Sequence, residues 1–196
     1  RRSLDDFSRA FFGGNDGSWA PVTYTFEDVV AALNVVHAYD WATFLRERIY
    51  EAGTEAPLDG LTRGGYRLVF KEGRSAFQRD AEAYARNADF TYSLGLSFGE
   101  NGNVTGVQWD GPAFNQGVTV GTQVVAVGGV AFGTEALRRA VSGAKTDGSP
   151  IELLLKNGDQ YRTIAIPYRG GLRYPHLERD TATGDRLAAI LAPRSR

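Results

Sequence analysis

"YSLGLSFGENGNV", residues 92–104, decides how the rest of the chain is read. Leu94, Leu96 and Phe98 alternate, which sets their side chains on one face of a strand. Gly95 lies between them and carries no Cβ, so the backbone can bend there and turn successive N–H groups outward. A Gly/Asn-rich turn follows at once. Three readings compete. Gly95 to Gly99 spells G-x-S-x-G, the letters of a nucleophile elbow with Ser97 as the nucleophile. That motif requires a strand, a strained turn and then a helix, so that the hydroxyl stands clear of the sheet. Here Ser97 falls in mid-strand and a hairpin turn follows, while His37 and His176 are poor partners for it; the elbow is rejected. The second reading is a peptide-binding loop, in which a nest of N–H groups around Gly95 holds a terminal carboxylate and the strand edge accepts an extended peptide. The third is an ordinary hairpin whose apolar residues fill a core.

The second wall of a peptide groove is available downstream. "TEALRRAVSGA", residues 134–144, is the one well-formed helix in a β-rich stretch. Leu137 and Val141 lie one turn apart on it, with Ala140 and Ala144 beside them. Leu94, Gly95, Leu96, Phe98, Leu137 and Val141 are therefore the candidate peptide-binding residues. Each alone is at home in a core; the constellation favours the loop.

Composition narrows the function classes. The chain has 196 residues, 42% of them hydrophobic, enough for one large or two small cores. Its 22 basic and 23 acidic residues are well mixed, leaving no basic stripe for a phosphate backbone, so nucleic acid is not expected as a partner. No apolar run approaches the roughly 20 residues of a membrane span. The absence of Cys removes disulfides, thiolate catalysis and Cys-based zinc sites. Two isolated histidines cannot supply H-E-x-x-H, in which both rings must reach one ion from successive helical turns. The Arg1-Arg2 start and the lack of Met lead to the expectation that the chain is a piece of a longer protein.

The first ~50 residues carry helical patterning. Ser3 with Asp6, and Thr25 with Asp28, are two candidate capping boxes, and Asp40 is a third N-cap. Trp41, Phe44, Leu45 and Ile49 then share one face. "EAGTEAPLDGLTRGG", residues 51–65, is a break rich in Gly, Pro and acidic residues. "GYRLVF" reads as a strand and "FQRDAEAYARN" as a helix, with Phe77, Ala81, Tyr84 and Ala85 aligned on what should be its core face. From residue 90 short strands predominate: "FTYSLGLSF", "NVTGVQW", "TQVVAVGG", "IELLLKN" and "QYRTIAIPY". A Gly-Gly hinge, an extended segment and a short helix around Arg186 to Leu191 close the chain.

"SLGL", "DGPAFNQGVTVGTQVVAVGG" and "TEALRRAV" together resemble a PDZ domain of the bacterial, protease-associated type. Pro112, Ala113, Gly117, Val118, Gly121, Val124, Val127 and Gly129 follow its pattern; Thr122 and Gly128 depart from it, standing where Asp and Asn are usual. The flanking "SLDDFSRAFF", "YTFEDVVAALN", "YDWATFLRERI", "APLDGLTRGGYRLVF" and "GGLRYPHLERD" resemble the C-terminal part of glycyl aminopeptidase-like zinc metallopeptidases, which carry a thermolysin-like catalytic domain. The resemblance implies an α+β chain: residues 1–65 as the helical end of a catalytic domain, 66–89 as a connecting strand and helix, 90–168 as a PDZ-like small barrel or sandwich with one main helix, and 169–196 as a tail. It implies zinc in the parent's catalytic domain, yet no position here matches the zinc motif, so no cofactor and no catalytic residue are expected in this piece. The expected partner is a peptide or protein C-terminus, or the parent catalytic domain. The alternative is a structural module whose groove is filled by its own tail, with "LRYPHLERD" as the candidate. A periplasmic or secreted location in a Gram-negative bacterium is implied by the resemblance alone.

Overall fold

Helices begin where the sequence supplies caps. In the computed structural model, which describes residues 3–15, 17–51 and 56–193, α1 (Leu4–Phe12) is entered through Ser3. The Ser3 hydroxyl accepts from the Asp5 N–H, and the Asp6 carboxylate accepts from the Ser3 N–H at 2.7 Å. At α2 (Phe26–Val36) the Thr25 hydroxyl accepts from the Asp28 N–H and the Asp28 carboxylate accepts from the Thr25 N–H. Asp40 accepts from the Thr43 N–H at the start of α3 (Trp41–Ile49). Each cap satisfies N–H groups that a helix start leaves unpaired. Arg1-Arg2 and the Ala52–Glu55 part of the Gly/Pro-rich break lie outside the described residues.

These helices belong to the first of two units, which ends at Pro57. Among its described residues Leu33 is the only buried side chain of the hydrophobic class. Phe7, Phe11, Phe12 and Tyr24 gather ring against ring, with Phe11 stacked on Phe7 at 5.2 Å, yet Phe12 and Tyr24 stay mostly exposed.

The second unit starts at Leu58. It contains α4 (Asp59–Arg63), β1 (Tyr66–Lys71), α5 (Ala76–Ala85), β2 (Ala88–Phe90), β3 (Leu96–Phe98), β4 (Val104–Val107), β5 (Gln123–Val127), β6 (Val130–Ala131), α6 (Thr134–Asp147), β7 (Ile151–Asn157), β8 (Gln160–Ile166), β9 (Tyr174–Arg179) and α7 (Arg186–Leu191). The strands form three antiparallel sheets, ordered β2-β3-β4, β6-β5-β7-β8 and β1-β9. The α+β class is as expected; the sheets stay open and none closes into a barrel. Gly128 and Gly129 both adopt positive φ (+54° and +78°) in the β5–β6 hairpin, the pair of values that a two-residue turn of matching twist needs. One apolar core joins the three- and four-stranded sheets to α6, with Phe90, Leu94, Leu96, Phe98, Val124, Leu137, Val141, Leu153 and Ile166 among its members.

Two elements differ from the sequence expectation. "FTYSLGLSF" is not one strand: β2 ends at Phe90, residues 91–95 turn, and β3 starts at Leu96. Helix α5 is oriented inside out. Its aligned Phe77, Ala81, Tyr84 and Ala85 face solvent, and its one buried residue is Glu82. The reason is an ion-pair network: Glu82 meets Arg74 at 2.7 Å and Arg138 of α6 at 3.0 Å, which fixes the polar side of the helix inward.

Candidate functional site

The loop after Phe90 turns its N–H groups onto the chain's own backbone. Gly95 sits at φ +73°, and the N–H groups of Ser93, Leu94 and Gly95 converge on a single oxygen. That oxygen belongs to the chain itself: the Phe90 carbonyl accepts from all three, at 3.0, 2.9 and 3.1 Å. The loop is pinned from behind as well. Gly95 O accepts from the Gln108 N–H at 2.8 Å and Leu94 O from the Ala113 N–H at 3.0 Å. A Cβ on Gly95 would come within 3.2 Å of Gln108 Cβ, so both the conformation and the space at this position call for glycine.

The strand edge beside the nest is occupied too. β2 pairs antiparallel with β3 in the register Ala88↔Phe98, Asp89↔Ser97 and Phe90↔Leu96, and β4 takes the opposite edge. β2 therefore runs in the direction that an antiparallel peptide ending at the nest would take. Its Phe90 ring is buried, edge-on to Phe98 at 5.8 Å and 5.5 Å below the Arg138 guanidinium of α6. Five of the six residues singled out from sequence share one buried cluster, with Gly95 in the loop beside it. Leu94, Leu96, Phe98, Leu137 and Val141 are core residues, each at 0 or 1% exposure, and they belong with Phe90 to one buried cluster.

A polar clasp holds this arrangement shut. Glu82 Oε1 accepts from the Asp89 N–H at 3.2 Å, so α5 grips β2 by its backbone. Glu82 Oε2 accepts from Arg138 and from Arg74. Arg138 Nε donates to the Tyr174 hydroxyl at 3.1 Å, and its Nη1 donates to Glu135 at 2.5 Å. Burial opposes the Arg138 charge, but the Tyr174 hydroxyl, Glu135 and Glu82 outweigh it and hold the guanidinium above its ordinary pKa. No buried side-chain polar atom among the described residues lacks a partner. Sequence reasoning missed Phe90, Glu82, Arg138 and Tyr174. The legible signal was the placement of an aromatic residue immediately before a nest-forming loop.

The tail is not the strand along β3. "LRYPHLERD" supplies β9, which pairs with β1 from Tyr66↔Arg179 to Lys71↔Tyr174. Its contribution to the clasp is the Tyr174 hydroxyl, together with the Arg173 N–H that donates to Ser93 Oγ at 3.0 Å. Ser97 and His176 are engaged in separate local contacts. Ser97 lies in β3 with its Oγ 3.3 Å from Thr105 Oγ1, and His176 Nε2 donates to Gly73 O at 2.7 Å. Among the described residues no three acidic or histidine side chains cluster as metal ligands would. No described helix is long and apolar enough to cross a membrane.

Compared with known proteins, the chain matches no family model and no curated protein. A solved structure shares its fold: the crystal structure of an aminopeptidase N family protein from Idiomarina loihiensis, at TM-score 0.52 and 18% identity. The match covers 86% of this chain and 29% of that one, so the chain spans under a third of its structural neighbour.

Proposed function

We propose that this chain is the non-catalytic C-terminal part of an aminopeptidase-like zinc metallopeptidase, and that its PDZ-like module braces the parent enzyme instead of capturing peptide ends. The observation that carries the reading is the Phe90 carbonyl in the nest, with β2 paired along β3. A free peptide would have to displace a strand joined to β3 by a five-residue turn that contains the nest, and local tethering gives that strand a large advantage in effective concentration. Loss of Phe90 burial and of the Glu82–Arg138 pair would add to the cost of opening. The shared fold with a much longer aminopeptidase N family protein supports a peptidase parent, and the scarcity of buried residues in the helical unit supports a unit that completes its core on further protein.

The test is a titration of the isotope-labelled chain with short peptides bearing free or amidated C-termini, followed by NMR at Leu94 to Phe98. The brace reading expects no shift with either set. Shifts that need the free carboxylate would return the module to peptide capture. Incubation with glycyl and alanyl reporters, with and without Zn²⁺, should release no product; metal-dependent release would contradict the non-catalytic assignment.

A further inference from the structure

Helix α5 presents to solvent what a helix ordinarily buries. Phe77 is 83% and Tyr84 94% exposed, on the stripe that also holds Ala81 and Ala85. Next to this stripe is a groove of about 430 Å³. Phe77, Ala81 and Ala85 of α5 line it together with Asp89 of β2, Tyr92 and Pro175. An apolar surface of this kind on a well-packed unit marks an interaction site more often than an accident of composition.

We propose that this groove docks a short apolar protein segment carrying a Lys or Arg side chain. Charge complementarity selects the cation. The groove's ionisable lining consists of carboxylates and a tyrosine, and no lining residue is basic. Glu82 is already shared between Arg74 and Arg138. Asp89 makes no ion pair among the described residues; its Oδ1 accepts only the Thr91 N–H, at 2.8 Å. A cation placed there gains a carboxylate, in a groove that also holds the Phe77 and Tyr92 rings, aromatic side chains whose quadrupole favours positive charge.

The inference rests on α5 and β2 and stands independently of the peptidase assignment. Its test uses the full, isotope-labelled chain and two acetylated, amidated pentapeptides of alternating alanine and leucine, one with central lysine and one with central glutamate. Blocked ends remove any contribution from a terminal carboxylate or amine. The lysine peptide should shift the amides of Gln78, Ala81, Ala85 and Asp89, with at least tenfold weaker binding in Asp89→Asn and in Phe77→Ser. Both positions tolerate the change without loss of the core, which unchanged dispersion of the Leu96 and Leu153 amides verifies. No shift with lysine, equal shifts with glutamate, or wild-type affinity in Asp89→Asn overturns the proposal. Self-association seen by sedimentation and abolished by Phe77→Ser overturns it in favour of a second copy. Shifts confined to Ser93–Gly95 would instead indict the brace reading and leave this groove without its ligand.

Discussion

The two units of this chain reach order by different routes. The second unit buries a continuous apolar cluster from Ala88 to Ile166 and closes it with a satisfied ionic clasp. The first has well-made helix caps and almost no interior, with Leu33 its one buried hydrophobic residue among those described. The comparison separates local from non-local stabilisation. Caps are read from three or four neighbouring residues and define where helices start, but short helices remain marginal until an apolar face is covered. The β-rich unit obtains its stability from contacts between residues far apart in sequence, such as Glu82 with Arg138.

The sharpest way to break this contrast is at Phe90. Phe90→Ala removes a fully buried ring and should cost about 3–5 kcal/mol in denaturant unfolding of the second unit. A cost near zero would mean that the Phe90 ring is not part of the core. Next is the clasp: Arg138→Ala leaves Glu82 short of a partner in a site that is nearly dry, at about 3 kcal/mol. The double change Glu82→Gln with Arg138→Met should cost less than the sum of the two single changes, and strict additivity would refute the coupling. Gly95→Ala places a Cβ at φ +73° and against Gln108, for a loss of about 1–2 kcal/mol.

The smallest effects belong to the helical unit. Thr25→Ala should remove about 1 kcal/mol of helix stability, visible as lost ellipticity in residues 1–57 prepared alone. That piece should show no cooperative thermal transition; a sharp one would show that it holds a core of its own. Its pH response follows from Asp28. The Thr25 backbone N–H, and then its hydroxyl, hold this carboxyl below its ordinary pKa of 3.8. A carboxyl depressed in the folded state stabilises it above the ordinary value and loses that contribution as pH falls through the lowered one. Helicity around α2 should therefore fall on acidification below the usual carboxylate range, and Asp28→Asn should flatten that response.

Much of this structure was legible in the sequence because it is local. Ser3, Thr25 and Asp40 cap as their spacing implies, and the strand-rich run from residue 90 with its single helix over Thr134–Asp147 gives the α+β class. What sequence missed was decided at a distance. The stripe Phe77–Ala81–Tyr84–Ala85 has the period of a buried face, but Arg74 and Arg138 hold Glu82 inward and rotate that stripe to solvent. "FTYSLGLSF" alternates well enough to pass for one strand, because its turn is built from main-chain bonds to Phe90 O and carries only Ser93 and Gly95 as signals. Five of the six candidate groove residues share a buried cluster with Phe90, and periodicity cannot tell a filled core from an open groove.

Amide hydrogen exchange in the peptide-free chain tests the central claim most directly. If Phe90 O and β2 occupy the nest and the strand edge, the amides of Ser93, Leu94 and Gly95 should exchange as slowly as those of Leu153 and Leu155 in the core strand β7. Fast exchange at 93–95 that slows only when a peptide with a free C-terminus is added would contradict it.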